Sequence, residues 1–122
     1  MIKTFSNRHS FILVVSLFCI FSSVIVFAQT KFPTGTFNSG DFSITFNTDG
    51  THSVNLNGEA MVKGKYALAE NVITLTDTEG QNACDGPGKY KWKLQENSLH
   101  FEKIEDDCDG RAGALAQPWV KK

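Results

Sequence analysis

The sequence predicts an all-β protein, a small antiparallel up-and-down barrel preceded by an N-terminal signal peptide. Two observations carry the barrel. Apolar and polar residues alternate with a period of two in run after run from Asp41 onward, as half-buried strands require. Short turns rich in Gly, Asn and Asp join nearly all of these runs, and simple hairpins in series make a meander rather than a Greek key, which needs longer crossings. A third observation concerns the first residues, which read as an export leader.

The chain has 122 residues, enough for one domain. Lys3 and Arg8 form a basic start, residues 11–27 are almost wholly apolar, and Val26-Phe27-Ala28 offers small residues where a signal peptidase reads. Residues 1–28 are therefore assigned to a signal peptide and residues 29–122 to the barrel domain. The alternative is an uncleaved anchor, since the apolar run is about as long as a span requires. Cys19 lies inside this leader and leaves with it. Without Lys3 and Arg8, two of the 12 basic residues, the mature chain sets ten against 13 acidic residues, a net charge of −3. That balance excludes a nucleic-acid partner, which needs a clustered basic face.

Residues 30–40 read as a Gly- and Pro-containing entry segment, with Phe37 tucked against the barrel end. Residues 41–47 alternate Phe42, Ile44 and Phe46 with Ser43 and Thr45, and Thr48-Asp49-Gly50 turns the chain. Residues 51–57 place His52, Val54 and Leu56 on one face, before an Asn57-Gly58 turn. Residues 60–69 direct Val62, Gly64, Tyr66 and Leu68 inward, and Gly64 in mid-strand predicts a bend or bulge. Glu70-Asn71 turns into residues 72–77, with Ile73 and Leu75 inside. Residues 78–87 form the one long loop and carry Cys84. Residues 88–95 face Tyr90, Trp92 and Leu94 inward against Lys89, Lys91 and Lys93. After Glu96-Asn97, residues 98–105 present Leu99 and Phe101, and Ile104 breaks the phase, which predicts a bulge near Lys103. Residues 111–116 suit a single helical turn, and Pro118-Trp119-Val120 a last short strand that pairs with the first.

In a meander successive turns fall at alternate ends. By that count the turns at Asp49-Gly50, Glu70-Asn71 and Glu96-Asn97 share one end. Asn57-Gly58, the Cys84 loop and the bend at Cys108 share the other. An exported chain with two remaining cysteines at one end predicts a Cys84–Cys108 disulfide. Closing a loop of about 25 residues stabilises a fold by roughly 3.5 kcal/mol on the chain-entropy model.

A Gly-x-aromatic motif (Gly35-Thr36-Phe37), a hairpin meander and a late Arg111 resemble the lipocalin, or calycin, β-barrels. The pieces DGTHSV, GKYKW and DDCDGRAGAL resemble more specifically small bacterial secreted lipocalin-like domains. The resemblance spans residues 32–120 and implies a ligand-binding barrel in which Arg111 closes over Phe37 beside Gly35.

The polar-tipped members of the inward set, Tyr66, Trp92 and His52, are the candidate ligand-binding residues, because such groups orient a small hydrophobic guest in an apolar pocket. The bland reading is a barrel filled by its own side chains, their polar tips reaching solvent or backbone at the rim. His52 and His100 lie on opposite faces, so they do not make a metal pair, and no Ser-His-Asp or Cys-His set assembles. Glu105, Asp107 and Asp109 before Gly110 echo a calcium loop, but Ala116 stands where its final glutamate belongs. Lys63, Lys65, Lys89, Lys91, Lys93 and Lys103 decorate outer faces, which keeps an exterior soluble. The expectation is a secreted (periplasmic or extracellular) monomer that is not an enzyme and needs neither cofactor nor metal. It binds a small hydrophobic molecule, or else serves the cell envelope as an interaction or inhibitor module with a filled core. Once the leader is removed it has no membrane contact.

Overall fold

A computed structural model describes residues 31–122; the leader and its cleavage point lie outside the described residues. Eight antiparallel strands close into a barrel in sequence order, β8 returning to pair with β1. The strands are β1 (Gly35–Ser39), β2 (Phe42–Phe46), β3 (Thr51–Leu56), β4 (Glu59–Ala69), β5 (Val72–Glu79), β6 (Pro87–Gln95), β7 (Ser98–Glu105) and β8 (Trp119–Lys121). One short helix, α1 (Asp109–Leu115), lies between β7 and β8. Phe32–Lys122 makes one compact unit.

The alternating pattern becomes the inside and outside of this barrel. Ile44, Phe46, Ile73, Leu75, Tyr90, Trp92, Leu99 and Phe101 are all buried, whereas the six lysines noted above are exposed. Two residues of the expected inward set are not covered. Phe42 is 42% and Leu68 44% exposed, because each lies at a strand end, where the barrel wall stops and nothing packs above it.

The entry segment differs from expectation. Gly35–Ser39 is a full strand, paired with β2 from Gly35↔Phe46 to Ser39↔Phe42 and with β8 through Phe37↔Lys121 and Asn38↔Val120. The extra strand brings its own turn at Gly40-Asp41, and that turn reverses the end at which the chain enters. Gly35 therefore lies at the end of the Asp49-Gly50 turn, away from the cysteines. Phe37 is buried in mid-barrel. Phe32 holds the end position instead, its ring 5.0 Å from Phe46, 5.1 Å from Trp92 and 5.7 Å from Tyr66.

Closure over Phe37 is made by Lys121 rather than Arg111. The Lys121 Nζ sits 4.8 Å from the centre of the Phe37 ring and donates to the Thr34 carbonyl at 2.7 Å. Lys121 reaches both because it pairs directly with Phe37 across the seam. Arg111 is at the opposite end, on α1.

Three bulges interrupt the ladders. Met61 is extra on β4 between the pairs Val54↔Val62 and Asn55↔Ala60. Thr78 is extra on β5, opposite Lys63 and Gly64. Ile104 is extra on β7, between Tyr90↔Lys103 and Lys89↔Glu105. The last fulfils the phase break seen in the sequence. The irregularity expected at Gly64 is there, but the added residue belongs to the facing strand. All three lie toward the cysteine end. Bulges bend strands and raise local twist, so strand pairing is irregular at that end and regular at the aromatic end.

Candidate functional site

The cysteine end holds a cavity of about 440 Å³. Its floor and walls are apolar: Ile44, Val54, Val62, Leu75, Leu115 and Trp119. Exposed Phe42 and Asn82, with Met61, mark its mouth. Met61 faces inward because its bulge shifts the phase of β4 by one residue. One side is closed by α1, whose Leu115 is buried and whose Ala114 lines the space.

The polar wall is built by His52, Asp77 and Arg111. Arg111 reaches in from α1 and clasps Asp106 with two hydrogen bonds, Nε to Oδ2 at 2.7 Å and Nη2 to Oδ1 at 2.8 Å. Nη2 also donates to the Gly86 carbonyl at 3.1 Å. The third nitrogen, Nη1, lies 3.5 Å from Asp77 Oδ2 without a hydrogen bond. Asp77 stands 3.4 Å from His52 Nε2 through its other oxygen. Tyr90 donates its hydroxyl proton to Asp106. The chain from His52 through Asp77, Arg111 and Asp106 to Tyr90 is thus continuous and sealed from water, with side-chain exposures of 2%, 4%, 7% and 0% for the first four.

Backbone geometry makes room for this chain. Gly88 is on the inner face of β6 where a Cβ would press into the Asp106 carboxylate and 2.9 Å from Arg111 Nε. Gly64 does the same for His52, whose Cε1 would lie 2.6 Å from a Cβ there.

Burial disfavours the charged forms of these groups, and partners decide the outcome. Burial pushes the Asp106 carboxyl up, but hydrogen bonds from Arg111, Tyr90 and the Cys108 amide together outweigh it and hold the group at about 2. Burial pushes the His52 imidazole below its usual value, against the opposing pull of Asp77. Burial, with the Asp106 hydrogen bond second, raises the Tyr90 phenol far above its usual range. The hydrogen bond to Asp106 raises Arg111 further. At neutral pH His52 is therefore neutral while the Asp106 carboxylate and the Arg111 guanidinium are charged.

Cys84 and Cys108 are bridged, their Cα atoms 6.0 Å apart, at the rim of this cavity. Both cysteines also serve the charged chain. The Cys84 amide donates to Asp77 Oδ2 and the Cys108 amide to Asp106 Oδ1, each at 2.9 Å.

Of the three residues nominated from sequence, only His52 lines the cavity. Tyr66 and Trp92 lie at the other end, against Phe32. The Tyr66 hydroxyl donates to the Asn47 carbonyl. Asp77, Asp106 and Trp119 were not nominated. The signal for Asp77 was present: it continues the inward register of Ile73 and Leu75. Among the described residues, no group of three or more His, Cys, Asp or Glu side chains converges as a metal would require.

Comparison with protein-family models, curated proteins and solved structures finds no match for this chain. The eight-stranded up-and-down barrel agrees with the architecture that the lipocalin-like motifs imply.

Proposed function

We propose that this chain is an exported, lipocalin-like binding protein that holds a small, mainly apolar molecule at the cysteine end of its barrel. The observation that carries the reading is the cavity. Its volume of about 440 Å³ falls within the roughly 300–1,000 Å³ typical of small-molecule sites. Apolar walls with a few converging polar groups are also the usual composition of such sites. A filled core, on which the alternative of an envelope interaction module rests, would leave no such space. Export is supported by the apolar leader and by the Cys84–Cys108 bridge, since disulfides persist in oxidising compartments. The role is binding without catalysis.

The test uses the two tryptophans of the chain. Trp92→Phe leaves Trp119, in the cavity wall, as the sole reporter. An apolar fluorescent probe is expected to bind at one site and to change Trp119 emission. Ala114→Phe, which fills the cavity from α1, should abolish both effects. If no probe binds the folded protein and Trp119 emission stays constant, the reading fails.

A further inference from the structure

Met61 is the one methionine of residues 29–122. It is the extra residue of the β4 bulge, between the pairs Val54↔Val62 and Asn55↔Ala60, so no residue of β3 stands opposite it. Gly80 comes close from the β5 side, where a Cβ would press into the Met61 carbonyl. Met61 borders two spaces. It lines the mouth of the cavity with Phe42 and Asn82. It also lines a second, more open hollow of about 320 Å³ with Lys63, Glu79 and Gly80, all three of them exposed. Ile44, Leu75, Leu115 and Trp119 are buried in the cavity wall, whereas Met61 is partly exposed.

Its sulfur is the soft nucleophile that the fold leaves open to an oxidant. Cys84 and Cys108 are bridged and offer no thiolate for oxidation. Trp92 and Trp119 are buried. A hydroperoxide that meets the folded barrel therefore finds one thioether. The Met61 sulfur attacks a peroxide oxygen, so that an S–O bond forms and the O–O bond breaks. The sulfur gives up two electrons. With hydrogen peroxide, the proton of the transferred hydroxyl passes to the departing hydroxide, which leaves as water. The sulfoxide that results is polar where the thioether was apolar. An apolar guest seated against it would strip water from the new oxygen without returning a hydrogen bond, which is unfavourable.

We propose that Met61 is an oxidation site that turns binding down: its sulfoxide weakens the hold of the cavity on an apolar guest. The inference rests on the binding role proposed above and adds its regulation by hydroperoxides. Methionine sulfoxide reductases return a sulfoxide to the thioether, so the change is reversible. Met61 lies at the mouth and outside the buried core, so the fold is expected to survive the modification.

The test uses protein with its disulfide intact and the neutral apolar probe N-phenyl-1-naphthylamine. Hydrogen peroxide should add one oxygen, which peptide mapping places on Met61, and should weaken probe binding about tenfold. Met61→Leu, which has no sulfur, should bind the probe like the wild type both before and after peroxide. Met61→Gln, polar and of similar length, should bind weakly with no oxidant present. Urea unfolding shows whether the oxidised chain remains folded, and Met61→Gln carries the test if it does not. Three results overturn the inference and leave the cavity reading intact. Met61 could stay unmodified under peroxide that oxidises free N-acetylmethionine amide. The folded sulfoxide form, or Met61→Gln in its place, could bind as the untreated wild type does. Met61→Leu could lose binding to peroxide as the wild type does. If the untreated wild type binds no probe, the cavity reading fails and this inference falls with it.

Discussion

Arg111 holds Asp106 in a two-pronged grip, Nε on Oδ2 and Nη2 on Oδ1, and neither side chain meets appreciable water. Breaking a buried pair from one side leaves the other charge uncompensated. Arg111→Ala is therefore expected to destabilise the fold by about 3 kcal/mol or more, measured by urea unfolding. Stability should also fall in acid. Asp106 has its carboxyl lowered from 3.8 to about 2, so its contribution is complete above pH 3.8 and is lost as pH drops toward about 2. Asp106→Asn should remove that part of the acid transition.

The bridge joins the two loops whose amides hold Asp77 and Asp106. Cys108→Ser should remove roughly 3.5 kcal/mol of loop-closure stabilisation. In a domain this small that lowers the melting temperature by on the order of 15 °C. Probe binding should weaken with it, because the cavity rim loses its tie. Thermal melts with and without reductant check this. Free thiols at Cys84 and Cys108 in native protein would contradict it.

His52 is buried against Asp77, with Arg111 beyond, and its imidazole is pushed below 6.5 by burial. In the unfolded chain it accepts a proton near 6.5, and in the fold only at lower pH. The stability it contributes is present above pH 6.5 and declines as pH falls through the folded value. His52→Leu should flatten the stability profile below pH 6.5, whatever its effect on stability at pH 7. Chemical denaturation across that range is the measurement.

Gly88→Ala should destabilise by about 1–3 kcal/mol, as overpacking does, since its Cβ would meet the carboxylate that Arg111 already occupies. Gly113 in α1 is the control. A Cβ there meets nothing within 4 Å, so Gly113→Ala should be neutral or stabilising by up to about 1 kcal/mol. Equal losses from the two substitutions would mean that Gly88 makes no room for the pair.

Period-two alternation made the barrel legible, because Ile44, Phe46, Tyr90, Trp92, Leu99 and Phe101 each recur against exposed polar neighbours. β1 was missed for a physical reason. Gly35–Ser39 carries one large apolar residue, Phe37, and is held by ladder bonds to β2 and β8 rather than by an apolar face. Missing it put the wrong cation over Phe37. The site was half legible. His52 and Arg111 were singled out, but Asp77, the last residue of its expected strand, was not carried into the inward set, and Asp106 follows the Ile104 bulge, where counting alternate residues no longer tells inside from outside. Tyr66 and Trp92 looked like ligand groups because alternation reports the face of a residue and not its depth along the barrel axis.

The ring has a single joint between distant parts of the chain. β8, three residues long, supplies the final partner of both β7 and β1. Every other pairing is a hairpin between consecutive strands, a topology of low contact order whose pieces form quickly. The last step is then a ring-closing event that waits for Trp119–Lys121. A chain cut before Trp119 would own every hairpin and still have two raw edges, so three residues turn a curled ribbon into a vessel.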